Sequence, residues 1–286
     1  MSELQNPFGL SISSDDILYI CDTENHRIVT VDLKSNKTDS IFGSTPKSSM
    51  NGFHKPHDVF NVNTSLYVLD TRNYRVQKLS LNGSNPTTIL NYSRSYSCYY
   101  IYVDHEANIY LSASLQHKVV LYRSNSTNET MIAGDGTLGS KNNQLNRPYG
   151  MFVDRKGTLY IADRYNHRIM KWTRGARLGI GVAGNGTKGA QKEQLSFPVY
   201  VTVDRNEYMY ISEDGNHRII RWAPNSKSGK CIVGCAGNSG NAPNQLCSPH
   251  SLAFDSDGSL YVSDWCNNRI QKFQILSTRS EYFICL

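Results

Sequence analysis

The sequence predicts an all-β chain, a six-bladed β-propeller in which every blade is four antiparallel strands. Three observations predict it: a ten-residue phrase that recurs six times, a Pro-led alternating strand upstream of it, and a turn-rich composition with 18 Tyr and 21 Gly. The phrase reads Tyr, apolar, variable, Asp, two variable residues, then Asn-His-Arg-Ile. Its copies begin at Tyr19, Tyr67, Tyr110, Tyr160, Tyr210 and Tyr261, so the repeat spacing is 43 to 51 residues. Periods of this length mark propellers, arrays and solenoids.

Each unit reads as four short strands. Strand a follows the Pro, as in Pro148 to Asp154 and Pro249 to Asp255, where apolar residues alternate with others. Strand b ends at the Tyr-apolar pair, strand c starts at the Arg, and strand d precedes a Gly such as Gly43 or Gly184. A Leu-x-x-Pro lead-in recurs at Leu4, Leu145, Leu195 and Leu246. One unit cannot bury both faces, whereas six stacked about an axis do so and leave only short protected edges. We read one domain, 1–286, with repeats at approximately 4–52, 53–94, 95–144, 145–194, 195–245 and 246–286. The last segment, Glu281 to Leu286, aligns with strand d of the first blade, so closure is expected without a strand shared between the termini.

The bulk numbers bound the rest. Hydrophobic residues are 39% and charged residues 19%, a globular rather than a disordered profile. Net charge is +6, a mildly basic balance that selects no partner class. No apolar run approaches the roughly 18 residues of a membrane span, so no membrane insertion is expected, and Met1 to Asn6 lacks the features of a signal peptide. Seven Cys favour an oxidising compartment, and seven Asn-x-Ser/Thr sites from Asn36 to Asn185 agree with it weakly. An extracellular or secretory location and a monomer are the expectations.

The six phrases and their Asn-His positions resemble the NHL repeat, whose six-repeat members form six-bladed propellers. The resemblance covers Leu4 to Leu286. It implies the fold and leaves the function open, because the family spans RNA and protein adaptors as well as a peptide-amidating lyase. The third blade departs most: Ala113, Gln116 and Lys118 stand for Asp, Asn and Arg, so its b-to-c turn should be the loosest.

Several motifs invite a chemical reading. Gly134 to Gly139 and Gly184 to Gly189 both fit G-x-G-x-x-G, yet a phosphate cradle needs a following helix N-terminus and these glycines lead into another strand. Asp255 to Gly258 starts like a calcium loop, but position twelve is Cys266 instead of a bidentate Glu. Both are read as turns. The repeated Asp–Arg pairs, such as Asp22 with Arg27 and Asp163 with Arg168, are read as blade architecture, since a site would not recur in every blade. His26, His117, His167 and His217 fill the repeat's own His position.

Function should lie where the copies differ on one accessible rim. The residue after the strand-a Pro is Phe8, His57, Tyr99, Tyr149, Val199 and His250 around the predicted ring, with Cys98 replacing the Pro in blade three. The b-to-c turns reach the same rim and add Arg72, Tyr165 and Trp265, typical contact residues. The predicted binding set is therefore Phe8, His57, Arg72, Tyr99, Tyr149, Tyr165, His250 and Trp265. Pro56-His57-Asp58-Val59 and Pro249-His250-Ser251-Leu252 are similar to the Pro-His phrases by which the amidating lyase holds zinc, with Tyr149 where a third His would stand. Three protein ligands plus water is the usual catalytic arrangement, so the departure at Tyr149 weakens the metal reading.

Three function classes follow. A binding module that holds a protein or peptide ligand on the rim requires no missing ligand and leads, with no cofactor expected. A metal-dependent lyase or hydrolase at the channel mouth would use zinc on His57 and His250. A single-stranded RNA adaptor would use basic and aromatic rim residues, against the acidic Glu24, Asp58 and Asp214 nearby. The amidating lyase also carries Cys at positions matching Cys247 and Cys266, which lie in the d-to-a connection and the b-to-c turn at the same rim of blade six. A Cys247–Cys266 disulfide would close a loop of about 20 residues, worth roughly 3 kcal/mol. Peptide mapping without reductant should recover the two linked; recovery of both as free thiols refutes the pairing.

Overall fold

The computed structural model describes residues 3–43, 52–275 and 283–285. Glu281, Tyr282 and Leu286, within the predicted last strand, lie outside the described residues, as does the end of the first repeat at 44–51. Six four-stranded antiparallel sheets follow one another in sequence, and the fold class is the six-bladed β-propeller. Blade 1 is β1 (Pro7–Ile12), β2 (Ile17–Asp22), β3 (Arg27–Asp32) and β4 (Lys37–Phe42). Blade 2 is β5 (Pro56–Val62), β6 (Ser65–Asp70), β7 (Arg75–Ser80) and β8 (Thr87–Asn91). Blade 3 is β9 (Cys98–Val103), β10 (Ile109–Ala113), β11 (Lys118–Tyr122) and β12 (Glu129–Ala133). Blade 4 is β13 (Pro148–Val153), β14 (Leu159–Asp163), β15 (Arg168–Trp172) and β16 (Ile180–Ala183). Blade 5 is β17 (Pro198–Val203), β18 (Met209–Glu213), β19 (Arg218–Trp222) and β20 (Gly229–Val233). Blade 6 is β21 (Pro249–Phe254), β22 (Leu260–Asp264), β23 (Arg269–Ile275) and β24 (Phe283–Cys285).

The chain divides into two compact units, Met1–Arg94 with Ser251–Leu286, and Ser95–His250. Within the first, blades 1 and 2 bury Tyr19, Cys21, Ile28, Phe53, Val59 and Val68 in one cluster, and blade 6 adds Tyr261 to the cluster of Leu10, Leu18, Ile20 and Val29. Blades 6 and 1 also share hydrogen bonds. Ser263 Oγ donates to the Phe8 carbonyl at 2.7 Å, and the Leu10 N–H donates to Ser251 Oγ at 3.2 Å. β24 pairs with β23, and β4 with β3, so each of these two blades completes itself from its own repeat. Within the second unit, Val119, Leu145, Met151, Ile161 and Trp172 fill the space between blades 3 and 4, and Ile169, Leu195, Val201, Ile211 and Trp222 that between blades 4 and 5.

The repeated phrase has a physical reason at every polar position. Asp163 is fully buried at the end of strand b, where Oδ1 accepts the Asn146 N–H at 2.7 Å and Oδ2 accepts from Asn166 Nδ2 and Arg168 Nε, both at 2.8 Å. The Arg168 guanidinium then reaches the Ser140 and Gln144 carbonyls of the d-to-a connection at 2.8 and 3.2 Å. One ion pair thus ties the b-to-c turn to the lead-in of its own blade. The same pair recurs as Arg27–Asp22, Arg75–Asp70, Arg218–Glu213 and Arg269–Asp264.

The His position is left-handed: His26, His117, His167 and His217 have φ of 57, 52, 51 and 51°. His and Asn tolerate that region better than most residues. From it the imidazole Nδ1 accepts the N–H of the residue just before the next blade's first strand, Lys55, Arg147, Phe197 and Ser248, at 3.0 to 3.2 Å. In blade 6 Asn268 takes the place, and its Oδ1 accepts the Asn6 N–H at 2.8 Å. Where it is present, the repeat His therefore ties its turn to the start of the following first strand.

Blade 3 keeps the same turn although its Asp, Asn and Arg are gone: Ser114–Gln116 form the 3-10 turn seen in blades 2, 4 and 6, and His117 is left-handed. Instead of the missing pair, Lys118 bonds Glu129 at 2.9 Å and Tyr122 donates to Glu129 at 3.1 Å. The turn geometry and the bond from Arg147 to His117 are both retained.

The glycine motifs at 134 and 184 are turns. Each is closed by a one-residue bridge, Leu138 to Leu145 and Lys188 to Leu195, and no helix follows either. Asp255 Oδ1 accepts the Asp257 and Ser259 N–H groups, a turn that Asp154 and Asp204 repeat. Arg168→Ala should lower stability by about 1 to 3 kcal/mol, the range for losing a charge-assisted hydrogen bond. Denaturation that is unchanged in this variant would remove the pair from the architecture.

Candidate functional site

Strand a carries a β-bulge directly after its first residue in the five blades where its register is described, for example between the pairs Pro148–Asp163 and Met151–Ile161. A bulge re-aims the side chain it carries. The varied residues after the Pro are therefore turned out of the ladder at the end of the strand where the b-to-c turns lie. Gly150 completes the device in blade 4: a Cβ there would sit 2.6 Å from the Val199 carbonyl oxygen, so only glycine lets blades 4 and 5 approach.

In the unit Ser95–His250 this end gathers a cluster of rings around one cation. Arg164 begins the b-to-c turn of blade 4, with its side chain only 15% exposed. Its guanidinium lies 4.7 Å from the Tyr149 ring centre, 5.3 Å from Tyr165 and 5.4 Å from Phe197. Tyr149 stacks on Tyr99 at 4.7 Å with 19° between planes. Arg164 Nη2 pairs with Asp214, whose other oxygen accepts from Ser248 Oγ at 2.6 Å. Arg164 Nε is buried and donates to no acceptor among the described residues. Arg147 and Lys188 stand over the outer faces of Tyr165 and Phe197 at 5.1 and 4.8 Å.

The electrostatics follow from burial and these neighbours. Burial opposes charge on Asp214, but the Ser248 hydroxyl and Arg164 outweigh it and hold the carboxyl below its usual range. His250 is driven to about 3 by burial, with Arg164 acting in the same direction and Asp214 against it, so the ring is neutral at ordinary pH. Its Nδ1 faces the Tyr100 hydroxyl at 3.3 Å, and its carbonyl accepts from Ser212 Oγ at 2.6 Å. Burial also pushes the Tyr149 phenol well up.

Of the predicted binding residues, Tyr99, Tyr149 and Tyr165 come together in this cluster, and Tyr165 is 39% exposed. His250 is 7% exposed and lies behind them. In the other unit, Phe8 is 5% exposed and packs edge-on against His57 at 4.7 Å, so it supports the surface instead of forming it. Arg72 is exposed, its N–H donating to the His54 carbonyl at 3.0 Å, and Trp265 is half-buried with its carbonyl accepting from Asn6 Nδ2 at 3.4 Å. Sequence reasoning missed Arg164, Asp214, Phe197 and Ser248 as a set. The available signal was the Arg164-Tyr165 dipeptide in a turn whose other copies carry no such pair.

The residues of this unit fit a zinc ion poorly. The place after Pro148 holds a protonated phenol, and a guanidinium already lies over its ring, where a divalent cation would meet like charge. Among the described residues no three His, Cys, Asp or Glu side chains converge as metal ligands. Cys231 is bonded to Cys235, and Cys247 and Cys266 are disulfide-bonded as well; Cys21 and Cys98 are buried thiols. No helix among the described residues is long and apolar enough to cross a membrane.

Comparison with known proteins agrees with this architecture. The NHL repeat family matches residues 4–30 and 246–273, in the first and last blades. A structural genomics protein of unknown function from Bacteroides thetaiotaomicron is 13% identical, with a TM-score of 0.74 over 94% of this chain and 69% of its own. Virginiamycin B lyase from Staphylococcus aureus is 13% identical, with a TM-score of 0.62 over 100% of this chain and 86% of its own. A chain of a nidogen/laminin complex is 19% identical, with a TM-score of 0.66 over 93% of this chain and 90% of its own. No curated protein sequence matches the chain.

The buried neutral His250 makes stability depend on pH. Its folded value lies below its unfolded value near 6.5, so the unfolded chain binds the extra proton, and stability falls as pH drops from about 6.5 towards 3 by about 1.4 kcal/mol per unit. Urea denaturation at pH 6.5 and 4.5 should show this loss in the wild type and a smaller one in His250→Gln; equal losses would place the proton elsewhere. The repeated four-stranded blades make the chain a six-bladed β-propeller, and segments in its first and last blades match the NHL repeat.

Proposed function

We propose that this propeller is a binding module that holds a protein or peptide ligand at the b-to-c and d-to-a end of blades 4 and 5, with Arg164 as its anchor. The observation that carries the reading is the buried Arg164 Nε–H without an acceptor. Leaving a charged donor unsatisfied costs stability, and a ligand oxygen delivered between Tyr149, Tyr165 and Phe197 recovers that cost. Aromatic rings flanking an Arg are the composition of interface hot spots, and the rings fix the guanidinium so that little side-chain entropy is lost on binding. The disulfides fit an oxidising, extracellular setting for this role.

The structural neighbours include both a lyase by name and a chain from a protein–protein complex, so the fold admits enzyme and binder alike and the site must decide. The zinc-dependent reading, similar to the amidating lyase, rests on His57 and His250 and finds no support in the surroundings of Tyr149. The RNA reading draws on the rings and on Arg147, Arg164 and Lys188, since bases stack on such platforms. Asp214, fixed as a carboxylate in the middle of the cluster, opposes a phosphate backbone.

Peptides selected from a displayed library on the wild-type protein should lose about 2 kcal/mol of affinity or more in Arg164→Lys and in Tyr165→Ala, with melting temperature retained in the latter. Selected peptides that bind both variants as well as wild type remove this end of blades 4 and 5 from the function. Tighter binding of a uridine-rich oligonucleotide than of any selected peptide would transfer the site to RNA. Stoichiometric zinc in protein purified without chelator, lost in His57→Ala, would give the lead to the enzyme.

A further inference from the structure

The opposite end of the same unit carries a second feature that the rim does not explain. Between blades 3 and 4 a groove of about 1120 Å³ opens beside the a-to-b turns. Its floor is the apolar contact of the two blades, where Ile132, Tyr102 and Tyr110 pack against Leu159 and Trp172. One wall is strand β12, the outer strand of blade 3; the other is the turn from Thr173 to Leu178 in blade 4.

Two properties of these walls point to a ligand. The first is a free strand edge. β12 pairs with β11 alone, Glu129, Thr130 and Met131 are exposed, and the backbone of Thr130 to Ile132 makes no hydrogen bond on its outer side among the described residues. An unpaired edge presents N–H and C=O groups ready to take another strand. Large apolar side chains stand exposed along both walls, Met131 at 51% and Leu178 at 59%.

The second property is a set of uncommitted guanidiniums. Arg123, Arg155, Arg174 and Arg177 are exposed on the groove, and none forms an ion pair among the described residues. The neighbouring carboxylates are occupied with their own turns: Asp104 accepts the Glu106 and Asn108 N–H groups, Asp154 those of Lys156 and Thr158, and Asp135 the side chains of Thr137 and Asn143. None of these guanidiniums lies within ion-pair distance of a carboxylate among the described residues, which leaves them for a ligand's carboxylates.

We propose that this groove binds an extended peptide segment that alternates acidic and aliphatic residues, added antiparallel or parallel to the outer edge of β12. Strand addition supplies the backbone hydrogen bonds, the apolar floor takes the aliphatic side chains, and the guanidiniums take the carboxylates in bidentate pairs. A nucleic acid or sulfated glycan is a poorer match. Five cations and four carboxylates line the groove, so its net charge is small and a dense polyanion would gain little from counterion release while meeting the carboxylates directly. Sparse negative charges spaced by aliphatic residues avoid that repulsion. The inference stands on residues separate from the Arg164 cluster and does not depend on the reading of that cluster.

The probe is a fluorescein-labelled ten-residue peptide alternating glutamate and valine, followed by fluorescence anisotropy. The wild-type protein should bind it, Arg174→Glu combined with Arg177→Glu should weaken it about tenfold or more, and Arg205→Glu, an exposed change outside the groove, should leave it unaltered. Amide hydrogen exchange with the peptide bound should slow at Thr130, Met131 and Ile132. No binding, equal binding of the lysine-for-glutamate peptide, indifference to the double charge reversal, or binding without slowed exchange at β12 each overturns the proposal. Tighter binding of a ten-nucleotide RNA or of heparin, lost in the same double variant, overturns the peptide and assigns the groove to a polyanion.

Discussion

The hydrogen bond from the backbone N–H before a blade's first strand to the imidazole Nδ1 of the preceding repeat is the contact on which the start of the following strand depends. It occurs at His26, His117, His167 and His217 and, with an amide oxygen, at Asn268. It demands three things at once: a left-handed residue, a side chain with an acceptor at that reach, and a neutral ring. Burial supplies the last at His26, His117 and His167, whose protonation it disfavours. The residue that donates is itself left-handed, with φ of 50, 50, 47 and 48° at Lys55, Arg147, Phe197 and Ser248. Two strained backbone positions are held against each other by one bond, and the next blade begins one residue later.

That placement explains why the site lies where it does. Each donor is followed by the strand-a Pro and then by the bulged residue, so the joint fixes the angle at which Tyr149 leaves blade 4. In blade 5 the donor is Phe197 itself, whose ring packs on the accepting His167 at 4.7 Å and on Tyr165 at 5.4 Å. The joint therefore forms part of the pocket that holds Arg164. Ser248 plays the same double part: its N–H is given to His217 and its hydroxyl to Asp214. Scaffold and site share residues here, which restricts how far the cluster can move without loosening the blades.

The fold was legible because a propeller repeats its solution, and six variants of the phrase Tyr-x-x-Asp-x-x-Asn-His-Arg-Ile at a steady spacing leave little freedom. The role of the repeat Asp and Arg was legible for the same reason. The role of the repeat His was not, since its partner is a backbone N–H roughly 30 residues later that carries no side-chain signature. The site was half legible. Tyr99, Tyr149 and Tyr165 declared themselves as departures from the repeat, whereas Arg164, Asp214 and Ser248 pair across 34 to 50 residues and look like ordinary loop polarity when read singly. Phe8 and His250 occupy the same register as Tyr149 yet are buried, because the position after the Pro fixes where a side chain leaves the strand and not what later covers it. In blade 3 the sequence signalled a loss, and a Lys118–Glu129–Tyr122 group replaces what was lost with residues from strands c and d.

The proposed site centres on Arg164, whose guanidinium lies among three rings and whose buried Nε–H has no acceptor among the described residues. Proton–nitrogen NMR of the arginine side chains observes it directly. In the free protein this resonance should be resolved and slow to exchange, as befits a buried donor, and it should shift as a bound peptide is titrated in, together with the ring signals of Tyr149 and Tyr165. A ligand that saturates the protein while this resonance and both rings stay unmoved would contradict the assignment of the site.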